Sequence, residues 1–206
     1  MIYCQIISLF RRECQRAGRA CKPAGPVYNY CMNISGGSYM ICIAHLPTPL
    51  GTITLSAQGK ALTGLWFDGQ AHFGSVIPKE GARECSLPVF EETERWLSLY
   101  FSGRDPGFTP PVELIGTPWQ KAVWEILLTI PYGQTISYGA IAAALTRNQG
   151  RRTDPRAVGG AVSRNPISLI VPCHRVLGAD GSLTGYAGGL ERKRALLALE
   201  GAVFRG

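Results

Sequence analysis

No stretch of this 206-residue chain approaches the twenty consecutive apolar residues that a membrane-spanning helix requires. Its 25 glycines and 14 prolines follow no period, which excludes collagen-like and coiled-coil architecture. No CxxC pair occurs, so a zinc ribbon or a thioredoxin-type redox centre has no support. The seven cysteines (Cys4, Cys14, Cys21, Cys31, Cys42, Cys85 and Cys173) are odd in number and form no tight pairs. That argues against a secreted disulfide scaffold. The opening MIYCQIISLF precedes Arg11 and Arg12, the reverse of a signal peptide's order of charge and apolarity. A cytoplasmic protein with reduced thiols is therefore expected.

Acidic residues are scarce: 14 against 21 lysines and arginines, a net charge of +7. The excess is uneven. Residues 1–40 carry net +4, residues 41–111 net −2, and residues 112–206 net +5. Two units with different surfaces are implied. The basic one suits a polyanion such as DNA or RNA, although an ordinary basic surface fits the charge equally well. Apolar residues make up 46% of the chain, enough for a substantial core.

Periodicity divides the chain into an appendage over 1–38, a first domain over 39–111 and a second over 112–206. The appendage has no clean period. From Tyr39, YMICIAHL and GTITLSAQGKALTGLWF predict about three antiparallel strands, with a hairpin turn at Gln58-Gly59. A helix is expected over 88–102, where Pro88 suits a first turn and Val89, Trp96 and Tyr100 make an apolar stripe. In the second domain Thr117, Pro118 and Gln120 spell a capping box. Ser137 can cap a short alanine-rich helix, and Asp154-Pro155 opens another over PRAVGGAVSRN. Two short helices joined by a basic loop (146–154) resemble a helix-turn-helix. ISLIVPCHRV reads as an apolar extended run. In the last helix Leu190, Lys193, Leu197 and Glu200 share one face, so Glu200 is expected to be partly buried and to need a partner.

The chemistry concentrates at Cys173, His174 and Arg175. Pro172 fixes the backbone before the thiol, and the two cationic neighbours would favour a thiolate if close. Glu200 could orient His174, giving a nucleophile–base–orienter relay, with Asn165 as polar support. Neighbours in an extended chain point oppositely, so this relay requires a bend or a bridging water. On chemistry alone the relay fits a cysteine hydrolase, an acyltransferase or an alkyl acceptor.

GTPWQ (116–120), IPYGQTISYGAIA (130–142), RAVGGAV (156–162), NPISLIVPCHRV (165–176) and GYAGGLERKRALLALE (185–200) resemble the O6-alkylguanine-DNA alkyltransferases. The likeness spans roughly residues 42–204, and PCHRV is its most specific block. The resemblance implies an α/β N-terminal domain, a small antiparallel sheet plus a helix, ribonuclease-H-like. An all-α C-terminal domain with a helix-turn-helix would follow. It implies irreversible, single-turnover transfer of a methyl or other alkyl group from guanine O6, and from thymine O4, to Cys173. His174, Glu200 and Asn165 would serve that thiol, and Tyr138 would donate towards the leaving base. Arg156 would fill the space of the flipped nucleotide. Pro155, Ala157, Gly159 and Gly160 would lie in the minor groove. Arg175, Val176, Tyr186, Ala187, Gly188 and Lys193 would line the base pocket. No cofactor or metal is expected, since the zinc ligands of some relatives do not map onto Cys42, Cys85 or His72. The expected partner is double-stranded DNA carrying O6-alkylguanine, with no membrane, and the expected state is a monomer, nucleoid-associated if bacterial. The alternative is a damage sensor that binds alkylated DNA without reacting.

Overall fold

The computed structural model describes residues 40–79, 81–150 and 152–205. The expected appendage, and Arg151 of the basic loop, lie outside the described residues. No helix among the described residues is long and apolar enough to cross a membrane.

The first domain begins with β1 (Cys42–Leu46), β2 (Ile53–Gln58) and β3 (Ala61–Phe67), an antiparallel meander. Gly59 turns the hairpin at φ +63°, a conformation glycine adopts without strain. Alternation along β2 separates two faces. Ile53, Leu55 and Ala57 enter the apolar core, while Ser56 bonds Thr63 across the ladder at 2.9 Å. A fourth strand, β4 (Arg83–Glu84), pairs with β1 in parallel, giving the order β3-β2-β1-β4. The sheet is therefore mixed, where only antiparallel pairing was expected. This pairing also corrects the expectation of reduced thiols. It brings the Cα atoms of Cys42 and Cys85 to 5.5 Å, and the two side chains form a disulfide. Two residues give too little periodicity for a strand, so neither feature was readable in sequence.

α1 (Pro88–Phe101) starts at its proline and lays Val89, Phe90, Trp96, Leu97, Tyr100 and Phe101 into the core. The segment that follows is not a free linker. Leu62 donates its N–H to Pro111 and accepts from Glu113, so the chain runs beside β3 before entering the second domain.

That domain contains α2 (Pro118–Leu128), α3 (Tyr138–Gln149), α4 (Pro155–Ser163) and α5 (Leu190–Leu199). Two-residue strands β5 (Ile136–Ser137) and β6 (Val176–Leu177) pair in parallel between them. The caps are those read from the sequence. Thr117 and Gln120 form the reciprocal box, Ser137 Oγ accepts from Ala140 N, and Asp154 Oδ1 accepts from Arg156 N. α4 packs on both α2 and α3, and Trp124 on α2 donates its indole N–H to Ala161 O at 2.9 Å.

Residues 167–176 are not an extended strand. Ile167 bridges Leu65 of β3, and the chain then folds through tight turns, with Leu169 at φ +69°. Leu65 N donates to Pro166 O and Ser168 N to Leu65 O, both at 2.8 Å. The sheet edge takes the backbone bonds that an extended run would have sought elsewhere. Both domains share one continuous core.

Candidate active site

Cys173, His174 and Arg175 form a single 3-10 turn at the end of this folded segment. The turn supplies the bend that the relay required. Cys173 is buried, and the Asn165 amide nitrogen lies 3.1 Å from its sulfur. The same Asn165 Nδ2 lies 2.8 Å from Val171 O and 3.3 Å from Ile167 O, while its Oδ1 accepts from Ile167 N. One side chain thus ties the end of α4 to the thiol.

Glu200 follows α5 directly and faces the turn. His174 Nε2 lies 2.7 Å from Glu200 Oε1. Arg175 holds the same carboxylate from the side, Nε to Oε2 at 2.8 Å and Nη2 to Oε1 at 3.1 Å. A carboxylate only accepts, so Nε2 carries the imidazole hydrogen and Nδ1 keeps its lone pair. Nδ1 is buried and meets no protein hydrogen-bonding group among the described residues. The histidine is oriented at one nitrogen and available as a base at the other.

Burial pushes the Cys173 thiol up from its ordinary pKa. The Asn165 amide, the Lys193 ammonium and nearby backbone N–H groups pull it partly back. Stabilisation by Arg175 was expected, but that guanidinium is engaged by Glu200 and by Ile130 O at 2.6 Å. Burial lowers the pKa of His174 despite Glu200, so the ring is neutral and able to take a proton at pH 7. Burial alone would raise Glu200, but the hydrogen bonds and charges of His174 and Arg175 hold it well below the carboxylate range. Desolvation lowers Lys193 to about 8, against the opposing pull of Cys173. Its Nζ donates to Val176 O at 2.6 Å and Thr184 O at 2.8 Å.

The remaining sequence-predicted residues fall into three places. Tyr138 begins α3, with its hydroxyl 3.5 Å from Gly185 O and its ring against Gly159 of α4. Tyr186 stands edge-on to His174 with centroids 6.4 Å apart, in the loop that holds Ala187 and Gly188. Ala187 O accepts from Ala71 N of the first domain, so this loop is bound on its outer side. Pro155, Arg156 and Ala157 are exposed at the start of α4, and Gly159 and Gly160 are half-buried. Arg175, expected among the base-binding residues, is buried with its guanidinium on the Glu200 carboxylate and Ile130 O.

Sequence reading missed four contributors. Tyr100 of α1 donates its hydroxyl to Glu200 Oε1 at 2.6 Å. Gly133 N donates to Glu200 Oε2 at 3.0 Å. A Cβ there would stand 2.9 Å from Glu200 O, so glycine is required at its φ of +73°. Ile130 supplies only a carbonyl. Arg192 bonds Leu50 O, Gly188 O and Asp68 O and lies over the Phe67 ring. Tyr100 and Gly133 were visible as a stripe residue and a helix breaker, but nothing local joined them to Glu200, 100 and 67 residues away. No cluster of three or more metal-ligating side chains occurs among the described residues.

Residues 41–114 match the ribonuclease-like domain of the 6-O-methylguanine DNA methyltransferases, and residues 118–202 match their DNA-binding domain. The chain is 44% identical over 164 residues to the methylated-DNA–protein-cysteine methyltransferase of Mycobacterium leprae, covering 78% of this chain and 93% of the relative. The Methanosarcina acetivorans protein of that name is 51% identical over 163 residues, covering 75% and 95%. The crystal structure of Mycobacterium tuberculosis O6-methylguanine methyltransferase superposes with a TM-score of 0.67 at 42% identity, covering 79% and 93% of the two chains. The same mycobacterial protein in complex with DNA gives 0.65 at 41% identity, covering 79% and 92%. On these matches the chain belongs to the methylated-DNA–protein-cysteine methyltransferase family, the enzymes of direct, stoichiometric alkyl transfer from DNA to their own cysteine.

Proposed function

We propose that this protein removes alkyl groups from O6 of guanine, and from O4 of thymine, in double-stranded DNA, with Cys173 as the acceptor. The buried Cys173 thiol beside the His174–Glu200 pair carries this reading. The sulfur attacks the alkyl carbon in line with the C–O6 bond. The S–C bond forms, the C–O6 bond breaks, and its electron pair leaves with guanine. The thiol proton passes through a bridging water to His174 Nδ1 and ends on the released guanine. The Tyr138 hydroxyl, donating towards guanine N3, offsets the charge on that base, and the raised pKa from burial keeps it a donor. The product is a thioether that no group here can hydrolyse, so each molecule reacts once.

An alkylated O6 is out of reach inside a stacked duplex, so the base must leave the stack. In this reading α4 enters the minor groove by its exposed start, Arg156 occupies the vacated space, and small side chains at Ala157, Gly159 and Gly160 allow close approach. The Val176 carbonyl, already accepting from Lys193, keeps a second lone pair for the guanine amino group. The loop at Tyr186, Ala187 and Gly188 covers the base. The protein acts as a cytoplasmic monomer, and the +5 balance of residues 112–206 supplies the attraction for phosphates.

The test is intact mass and peptide mapping after mixing with a duplex containing one O6-methylguanine. One methyl group per chain, on Cys173 and absent in Cys173→Ala, is expected. DNA binding with no mass gain would replace this reading with that of a damage sensor.

A further inference from the structure

Glu200 is reached from both domains. Tyr100, on α1 of the first domain, is fully buried and donates its hydroxyl to Glu200 Oε1 at 2.6 Å. The Tyr100 hydroxyl also stands 3.3 Å from His174 Nε2, closing a three-member cluster of hydroxyl, imidazole and carboxylate. The phenol is held from all sides. Its ring stacks on Trp96 with centroids 5.0 Å apart and 9° between planes. Phe101, Tyr132 and His174 meet it edge-on. Burial and the neighbouring carboxylate raise its pKa well above 10, so it remains a donor throughout the working range.

We propose that Tyr100 is a positioning residue for alkyl transfer: its hydroxyl fixes the Glu200 carboxylate on His174 Nε2, making the first domain a working part of the proton relay. This rests on the cysteine–histidine–glutamate relay proposed above. The physical consequence is specific. A hydrogen bond donated to Glu200 disperses its negative charge. Less charge then stabilises the imidazolium, and the histidine stays neutral to lower pH. The other ionisable groups facing His174 are Arg175 and Cys173 from its own turn, Lys193 from α5, and Tyr186 from the loop beside it. None of them is altered by removing one hydroxyl from α1.

The experiment measures single-turnover methyl uptake from an O6-methylguanine duplex against pH, in wild type, Tyr100→Phe, Trp96→Phe and His174→Gln. Tyr100→Phe is expected to slow uptake about tenfold, the size of one charge-assisted hydrogen bond. Its acid limb should move to higher pH, because His174 becomes easier to protonate. Trp96→Phe alters the packing of the ring but keeps the hydroxyl, and its limb should stay in place. If Tyr100→Phe does not fold, difluorotyrosine placed at position 100 strengthens the donor and should move the limb to lower pH. His174→Gln separates the two levels. Loss of the limb there, with Tyr100→Phe unchanged in rate and limb, overturns the role of Tyr100 and leaves the relay intact. A limb that survives in His174→Gln overturns the relay and this inference together.

Discussion

Among the described residues, Glu200 accepts from Tyr100, His174, Gly133 and twice from Arg175. A buried carboxylate survives only with such partners. Glu200→Gln would leave the Arg175 guanidinium buried without its counter-charge. The expected loss is about 3–5 kcal/mol of stability, read by urea denaturation at neutral pH; a loss within error would show that the pair is dispensable to the fold. Acid should act through the same groups. The pKa of His174 is lowered from its ordinary 6.5 and that of Glu200 from 4.5. In each case the unfolded chain binds the proton first as pH falls. Each contribution is therefore complete above the ordinary pKa and lost as pH falls through the folded one. Stability should decline from about pH 6.5 downwards, and His174→Gln should flatten the upper part of that slope. A wild-type curve that stays level from pH 7 to pH 4 would contradict it.

The β4 strand shows what a covalent bond does for an element too short to hold itself. Two ladder pairs join it to β1, and the Cys42–Cys85 bridge closes a loop between residues 43 apart. Chain entropy gives such a closure a contribution of up to about 4 kcal/mol. Reduction, or Cys42→Ala with Cys85→Ala, is expected to lower Tm by roughly 5–10 °C. Methyl uptake below the melting range should remain one per chain. A Tm that ignores reductant would mean that the bridge restrains nothing the sheet does not already restrain. The helices need no such device. The starts of α1 to α4 follow from proline at the first turn, the Thr117–Gln120 box, and the Ser137 and Asp154 caps, each set within a few residues of chain. That is why those elements were legible in sequence and β4 was not.

At the scale of the whole molecule the first domain acts as a brace for the second. The β3 edge carries residues 166–168, and Ser168 donates to Gln70 Oε1 at 3.2 Å. Arg192 spans the junction, with Nε on Leu50 O at 2.9 Å and Nη1 on Gly188 O at 3.1 Å. The loop that covers the proposed base pocket is thereby fastened to a separate domain. Arg192→Ala is expected to speed amide exchange across residues 184–189 and to slow methyl uptake about three- to tenfold, since each bond lost is worth about 1 kcal/mol. Unchanged exchange in that loop would show that Ala71 N–H alone holds it through Ala187 O.

The sequence by itself determined the helices, the three-strand meander and the PCHRV motif, and it pointed to Glu200 as a partner for His174, a contact the fold makes. These depend on local periodicity, on caps, and on a carboxylate left on an apolar face. The tertiary structure alone decided which further groups surround that carboxylate, the parallel fourth strand with its disulfide, and the turns of residues 167–176. It also decided the buried fate of Arg175, which sequence reading had placed against a base. The physical reason is the same in each case. Hydrogen bonds between residues a few positions apart leave a pattern in the chain, whereas a contact such as Tyr100 with Glu200 exists only once two separate domains have packed.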